Sequence, residues 1–139
     1  MMTVIEAALV FPLPYDGGAH RRSVEVPAPR IFRPRGLWVW GADESTLIHR
    51  LQVGNQLCFN VGAGALPALF FEAGLSFDDF NALVGSAPIE GSNLHELRKK
   101  LPVSPHQLMS APTCEVGNTL LLDVEGPLDH AVLWGHTIL

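Results

Sequence analysis

At 139 residues the chain has the length of one domain with a proper hydrophobic core. Its formal net charge of −5 counts against general nucleic-acid binding, and no apolar run reaches the roughly 18–20 residues that cross a bilayer. Hydrophobic residues make up 47% and charged residues only 17%, which leaves little polar material for a surface and favours an oligomer or a partner-covered face.

The first residues, MMTVIEAALVFPLP, carry Glu6 and no basic stretch, so they do not read as a signal peptide. Val4 to Phe11 is apolar at nearly every position and reads as an edge strand or an arm added to a neighbouring sheet, stopped by Pro12 and Pro14. Residues 20 to 35 hold His20, Arg21, Arg22, Arg30, Arg33 and Arg35 against a single acid, Glu25. Pro27, Pro29 and Pro34 keep this part extended. Two readings stand: a solvated strand with a linker, or a basic arm that docks on an acidic neighbouring surface or, as a lesser alternative, on packaged nucleic acid. The organisation expected is one β-sandwich domain over 1–139, with 1–35 as a partly extended N-terminal arm.

The centre of the chain is Ile31 to Val61. In GLWVWG, residues 36–41, Leu37 and Val39 point to one face and Trp38 and Trp40 to the other. All four are apolar, so a strand covered on both faces is expected, or one tryptophan at an interface or ligand cleft. Leu47, His49, Leu51 and Val53 alternate with Ile48, Arg50 and Gln52 as a half-buried strand, and Gly54-Asn55 supplies the φ > 0 positions of a tight hairpin turn. Leu57, Phe59 and Val61 are expected on one face of the return strand.

Leu66 to Ala73 reads as a short helix or an irregular apolar segment. Ser76 caps a helical turn over Phe77 to Leu83, with Asp78 and Asp79 in its first turn and Phe77, Phe80 and Leu83 or Val84 as its core stripe. A second short helix is expected after Ser92, with Arg98, Lys99 and Lys100 at its end and Pro102 and Pro105 beyond. Thr119 to Glu125 and His130 to Leu139 read as the last two strands. Strands parted by Gly/Pro turns, without alternation of strand and helix, point to a mainly β antiparallel sandwich or jelly roll with two short helical insertions between residues 66 and 100.

Chemistry is hard to find. The six histidines form no H-x-H or H-E-x-x-H pair, and the two cysteines no C-x-x-C pair. His130 and His136 share a strand face about 20 Å apart at the strand rise. No G-x-S-x-G elbow or phosphate loop is present. Cys58 and Cys114 both fall in strands, as buried thiols or a cross-strand bridge. No enzyme, cofactor or metal site is therefore expected.

Phe32-Arg-Pro-Arg-Gly-Leu-Trp-Val39, followed by Leu51-Gln-Val-Gly-Asn55, resembles the F-R-P-x-x-L, then I-K-V-G-N pattern of small β-sandwich virion proteins of bacteriophages. Pro112 to Asn118, the strand to Val124, and Ala131-Val-Leu-Trp-Gly135 resemble their final strands. The likeness covers residues 31–62 and 111–138 and rests on short hydrophobic motifs; the segment from Leu66 to Pro105 has no counterpart.

The resemblance implies a structural capsid or decoration protein, located in the virion after assembly in the host cytoplasm, with copies of itself or other capsid proteins as partners. No membrane and no sequence-specific nucleic acid are expected as partners. Phe11, Arg21, Arg22, Arg30, Arg33, Arg35, Trp38 and Trp40 are the expected assembly contacts. Two further expectations differ in kind: a carbohydrate- or small-ligand-binding sandwich with Trp38, Trp40 or Trp134 as stacking platform, and a metal-dependent jelly-roll enzyme using His49, His130 or His136.

Overall fold

In the computed structural model the residues described are 4–11, 22–28, 30–59, 64–85 and 108–138. Among them nine strands run in chain order: β1 (Val4–Phe11), β2 (Arg22–Pro27), β3 (Ile31–Trp40), β4 (Leu47–Val53), β5 (Gln56–Leu57), β6 (Leu66–Pro67), β7 (Leu75–Ser76), β8 (Thr119–Glu125) and β9 (His130–Ile138). A 3-10 helix, Ala68–Phe71, and one α-helix, α1 (Phe77–Gly85), lie between β6 and β8. The first sheet has the order β1-β9-β3-β7 and the second β2-β8-β4-β5, with β6 also on β4. Every pairing is antiparallel.

The mainly β, two-sheet expectation therefore holds, with one α-helix among the described residues. The helix expected after Ser92 lies outside them. Of the expected arm, residues 4–11 pair with β9, residues 22–27 pair with β8, and residues 31–35 belong to β3.

Alternation puts one face of each sheet into the core. Leu37 and Val39 of β3, Ala131 and Leu133 of β9, and Leu120, Leu122 and Val124 of β8 are fully buried. Phe70 and Phe71 of the 3-10 helix close one part of this core against Phe80 of α1. Phe71 stacks on Phe80 at 5.4 Å and Phe70 meets it edge-on at 5.8 Å. The Ser76 hydroxyl accepts the Asp79 N–H at 3.1 Å and caps α1 as the sequence predicts. Asn81 ties the helix to the last descending segment: its side-chain amide donates to the Met109 carbonyl at 2.7 Å and accepts the Met109 N–H at 2.6 Å.

Three local expectations change. A register shift between Ile48 and Arg50 switches the phase of β4, so Ile48, Leu51 and Val53 face the core while Leu47 and His49 are only half-buried. In the turn after β4 the positive φ falls on Gly54 alone, at 60°, as a II′ hairpin turn requires, and not on Asn55. The ladder of β5 ends at Leu57, which is exposed, so Phe59 does not share its face; Phe59 is buried and bridges to Met109.

Candidate functional site

The outer face of the first sheet departs from the polar face that a solvated sandwich presents. Arg33 and Arg35 point outward from the first half of β3. Continued two-residue alternation would then turn Leu37 and Val39 to solvent and the tryptophans inward. A register shift between Pro34 and Gly36 reverses this. Leu37 and Val39 enter the core, and Trp38 and Trp40 emerge, Trp38 with 41% of its surface exposed. The expectation that β3 is covered on both faces is thus corrected: its tryptophan face is open.

β9 lies beside β3 with Trp134 opposite Gly36, Val132 opposite Trp38, and His130 opposite Trp40. Together with Ala73, Gly74 and Ser76 from the β7 side, these strands enclose a groove of about 890 Å³. Trp38 and Trp40 stack at 4.6 Å between ring centroids, 26° from parallel. The Trp38 indole N–H donates to the Glu72 carbonyl at 2.9 Å, which fixes its ring against the Glu72–Gly74 turn. Trp40 meets His130 edge-on at 6.3 Å. Trp134 lies on Gly36, where only the absence of a side chain leaves room for the indole: a Cβ there would fall 2.0 Å from Cζ2 of the ring.

The floor is therefore aromatic, and the polar groups gather at one end: Arg35, Ser76 and His136. Arg35 has a loose partner in Asp78, 3.9 Å away and well exposed, a separation worth little in water. Three tryptophans and a few convergent polar groups in an open cleft of this size fit a small-molecule or chain-binding site. Among the described residues no acid, base and nucleophile constellation lines it.

Of the residues singled out in the sequence, Trp38, Trp40 and Arg35 come together in the groove, and Trp134 joins them. Arg33 is exposed on the same strand face, opposite His136, and Arg30 is exposed just before β3. Phe11 ends β1 opposite Ala131, and Arg22 begins β2 opposite Val124 in the other sheet. Arg21 lies outside the described residues. His136, Ser76, Gly74 and Val132 were not singled out for a groove, because their meeting depends on the β3·β9 and β3·β7 registers. Alternation within β9 alone would have placed Val132, Trp134 and His136 on one face.

The histidines expected of a metal enzyme do not converge. His49 sits on the second sheet, 3.1 Å from a Glu125 carboxylate oxygen, whereas His130 and His136 begin and nearly end β9. Among the described residues no group of three or more His, Cys, Asp or Glu is placed to hold a metal ion. Cys58 and Cys114 are both free and buried. Burial pushes the Cys58 thiol up to about 12, and desolvation also raises that of Cys114. Neither is poised as a nucleophile.

A second polar cluster sits at the Trp40 end. The Asp43 carboxylate accepts the Ser45 hydroxyl at 2.6 Å and the Ser45 N–H at 2.7 Å, and these bonds hold its pKa below the ordinary value. The buried Thr46 hydroxyl donates to the Pro127 carbonyl at 2.7 Å and accepts the Asp43 N–H at 3.0 Å. This cluster braces the turn that follows β3. Its role is positional.

Among the described residues no helix is long and apolar enough to cross a membrane. Comparison of the chain with protein-family models, with curated proteins and with solved structures finds no match.

Proposed function

We propose that the sandwich is a jelly roll and that the protein is a non-enzymatic structural subunit, assembling with its own copies into or onto a viral capsid, of the bacteriophage type, or a similar shell. The observation that carries this reading is the edge of the first sheet. β1 closes that sheet in the strand order, paired only with β9 among the described strands. It is eight residues long, VIEAALVF, with Glu6 as its one charge. Edge strands of proteins that stay apart are short, charged or broken by proline. A long apolar edge instead suits main-chain pairing with a strand of another copy.

The strand order supports the jelly-roll part. β1 pairs with β9, β2 with β8, β3 with β7 and β4 with β5, four pairs nested one inside the next. A long hairpin rolled up so that β9 also meets β3, and β8 also meets β4, has this order. Double sheets of that kind occur in capsid and lectin domains, and the fold alone does not choose between them. The motifs Phe32 to Val39 and Leu51 to Asn55 favour the virion side, as does the low content of charged residues.

Light scattering followed by electron microscopy of the same peak tests the proposal. Rings, shells or a defined oligomer are expected. Lysines at Ala8 and Val10, opposite Trp134 and Val132 in the β1·β9 register, should lower the order while leaving the far-ultraviolet circular dichroism unchanged. A monomer at every concentration, or an assembly indifferent to the two lysines, overturns it.

A further inference from the structure

The tryptophan groove lies across β3 and β9, one strand in from the free edge of β1, and has the features of a ligand site in its own right. Trp38 and Trp40 each give one face to the other. Trp134 gives one face to Gly36, and among the described residues no ring stacks on its other face. A half-buried indole that lines the groove beside a second aromatic pair suits a ring with one apolar face and a polar rim. A pyranose has that shape: its axial C–H groups pack on the indole while its equatorial substituents reach sideways to polar groups.

The charge at the site narrows the ligand. Arg35 lines the end of the groove beside His136, and Arg33 follows on the same outward face of β3. A guanidinium there offers a two-pronged contact to a carboxylate. Its present partner, Asp78, is 3.9 Å away with 85% of its side chain exposed, so a ligand carboxylate displaces it at little cost. Arg35 is the one guanidinium among the groove's lining residues, which suits a single carboxylate better than the row of phosphates along a nucleic-acid strand. We infer that the groove binds a uronate-bearing oligosaccharide, with one pyranose ring on Trp134 and its carboxylate on Arg35. The cleft, about 890 Å³, lies within the 300–1,000 Å³ that ligand sites occupy and holds a short stretch of such a chain.

Tryptophan fluorescence and titration calorimetry on the full chain test this with three acidic hexasaccharides: oligogalacturonate, oligomannuronate and a hyaluronan fragment. Cellohexaose serves as the neutral counterpart and a six-nucleotide thymidine strand as the nucleic-acid one. At least one acidic sugar should give a saturable change in emission. Its affinity should fall about tenfold in Arg35→Gln, the loss of one charged contact, rise in Asp78→Asn, and vanish in Trp134→Leu. Should Trp134→Leu fail to fold, the two exposed positions, Arg35 and Asp78, carry the test. The inference is overturned if no acidic sugar binds, if binding is unchanged in Arg35→Gln, or if cellohexaose or the thymidine strand binds as tightly.

Discussion

Trp134 of β9 and Gly36 of β3 form one packing unit across the ladder: the indole occupies the space where a side chain at residue 36 would stand. Gly36→Ala puts a methyl carbon 2.0 Å from Cζ2 of the ring, so the indole has to leave its place. The expected cost is about 1–3 kcal/mol, the usual range for overpacking. Urea denaturation reads the cost, and a changed Trp emission in the folded state reads the displacement. An unchanged emission spectrum would mean that the ring does not rest on Gly36.

Phe80 is the ring on which Phe70 and Phe71 both converge, and all three are buried. Phe80→Ala should lose about 3–5 kcal/mol, as large-to-small changes of buried aromatics do. Phe80→Leu, which fills most of the space, should lose far less. Chemical denaturation of the two variants side by side checks this.

Asn81→Ala leaves the Met109 N–H and carbonyl without their side-chain partner. A loss of about 1–3 kcal/mol is expected, since backbone polar groups in a partly buried place would go unpaired. Hydrogen exchange at the Met109 amide should quicken by more than global unfolding explains.

The Asp43 carboxyl has its pKa lowered in the native state, by the Ser45 hydroxyl first and the Ser45 N–H next. The stability it contributes is complete above its ordinary value of 3.8 and is lost as pH falls through the lowered native value. The wild-type protein should therefore lose this contribution as pH falls below 3.8, and Asp43→Asn should lose less there, as urea midpoints at several pH values would show.

The Cys58 thiol shifts the other way. Its ordinary value is 9.0, and burial pushes it to about 12 in the folded protein. Between these values the unfolded chain releases a proton that the native state keeps, so stability is complete below pH 9 and declines as pH rises towards 12. Cys58→Ala should flatten that decline. At pH 8 neither Cys58 nor Cys114, both fully buried, should react with a thiol reagent until the protein unfolds.

Much of this architecture is written in local patterns. β3, β8 and β9 carry clear two-residue alternation, and Ser76 with Asp78 and Asp79 marks the start of α1. The strands of two residues, β5, β6 and β7, are too short to show a period. The phase shifts at Pro34/Gly36 and Ile48/Arg50 escape a strict alternation rule, because a bulge depends on the partner strand. For the same reason the groove was legible only in parts. Trp38 and Trp40 were legible as a pair on one face of β3, although that face was expected to be covered, and Trp134 as a further strand aromatic. That Trp134 lies on Gly36, beside Trp38 and near Arg35, follows from a ladder joining residues some hundred positions apart, which no local window contains.

The nested pairing bears also on the order of events during synthesis. Val4 finds its partner at Ile138, and Arg22 finds its partner at Val124. During synthesis β1 and β2 are therefore made well before their partners β9 and β8, and the apolar β1 segment stays without its ladder until β9 has emerged. Loops of that length must close before their contacts contribute, so folding should be slow and open to capture by chaperones or by a neighbouring nascent chain. The strand that waits longest is also the one at the sheet edge, so pairing between copies competes in time with completion of the fold.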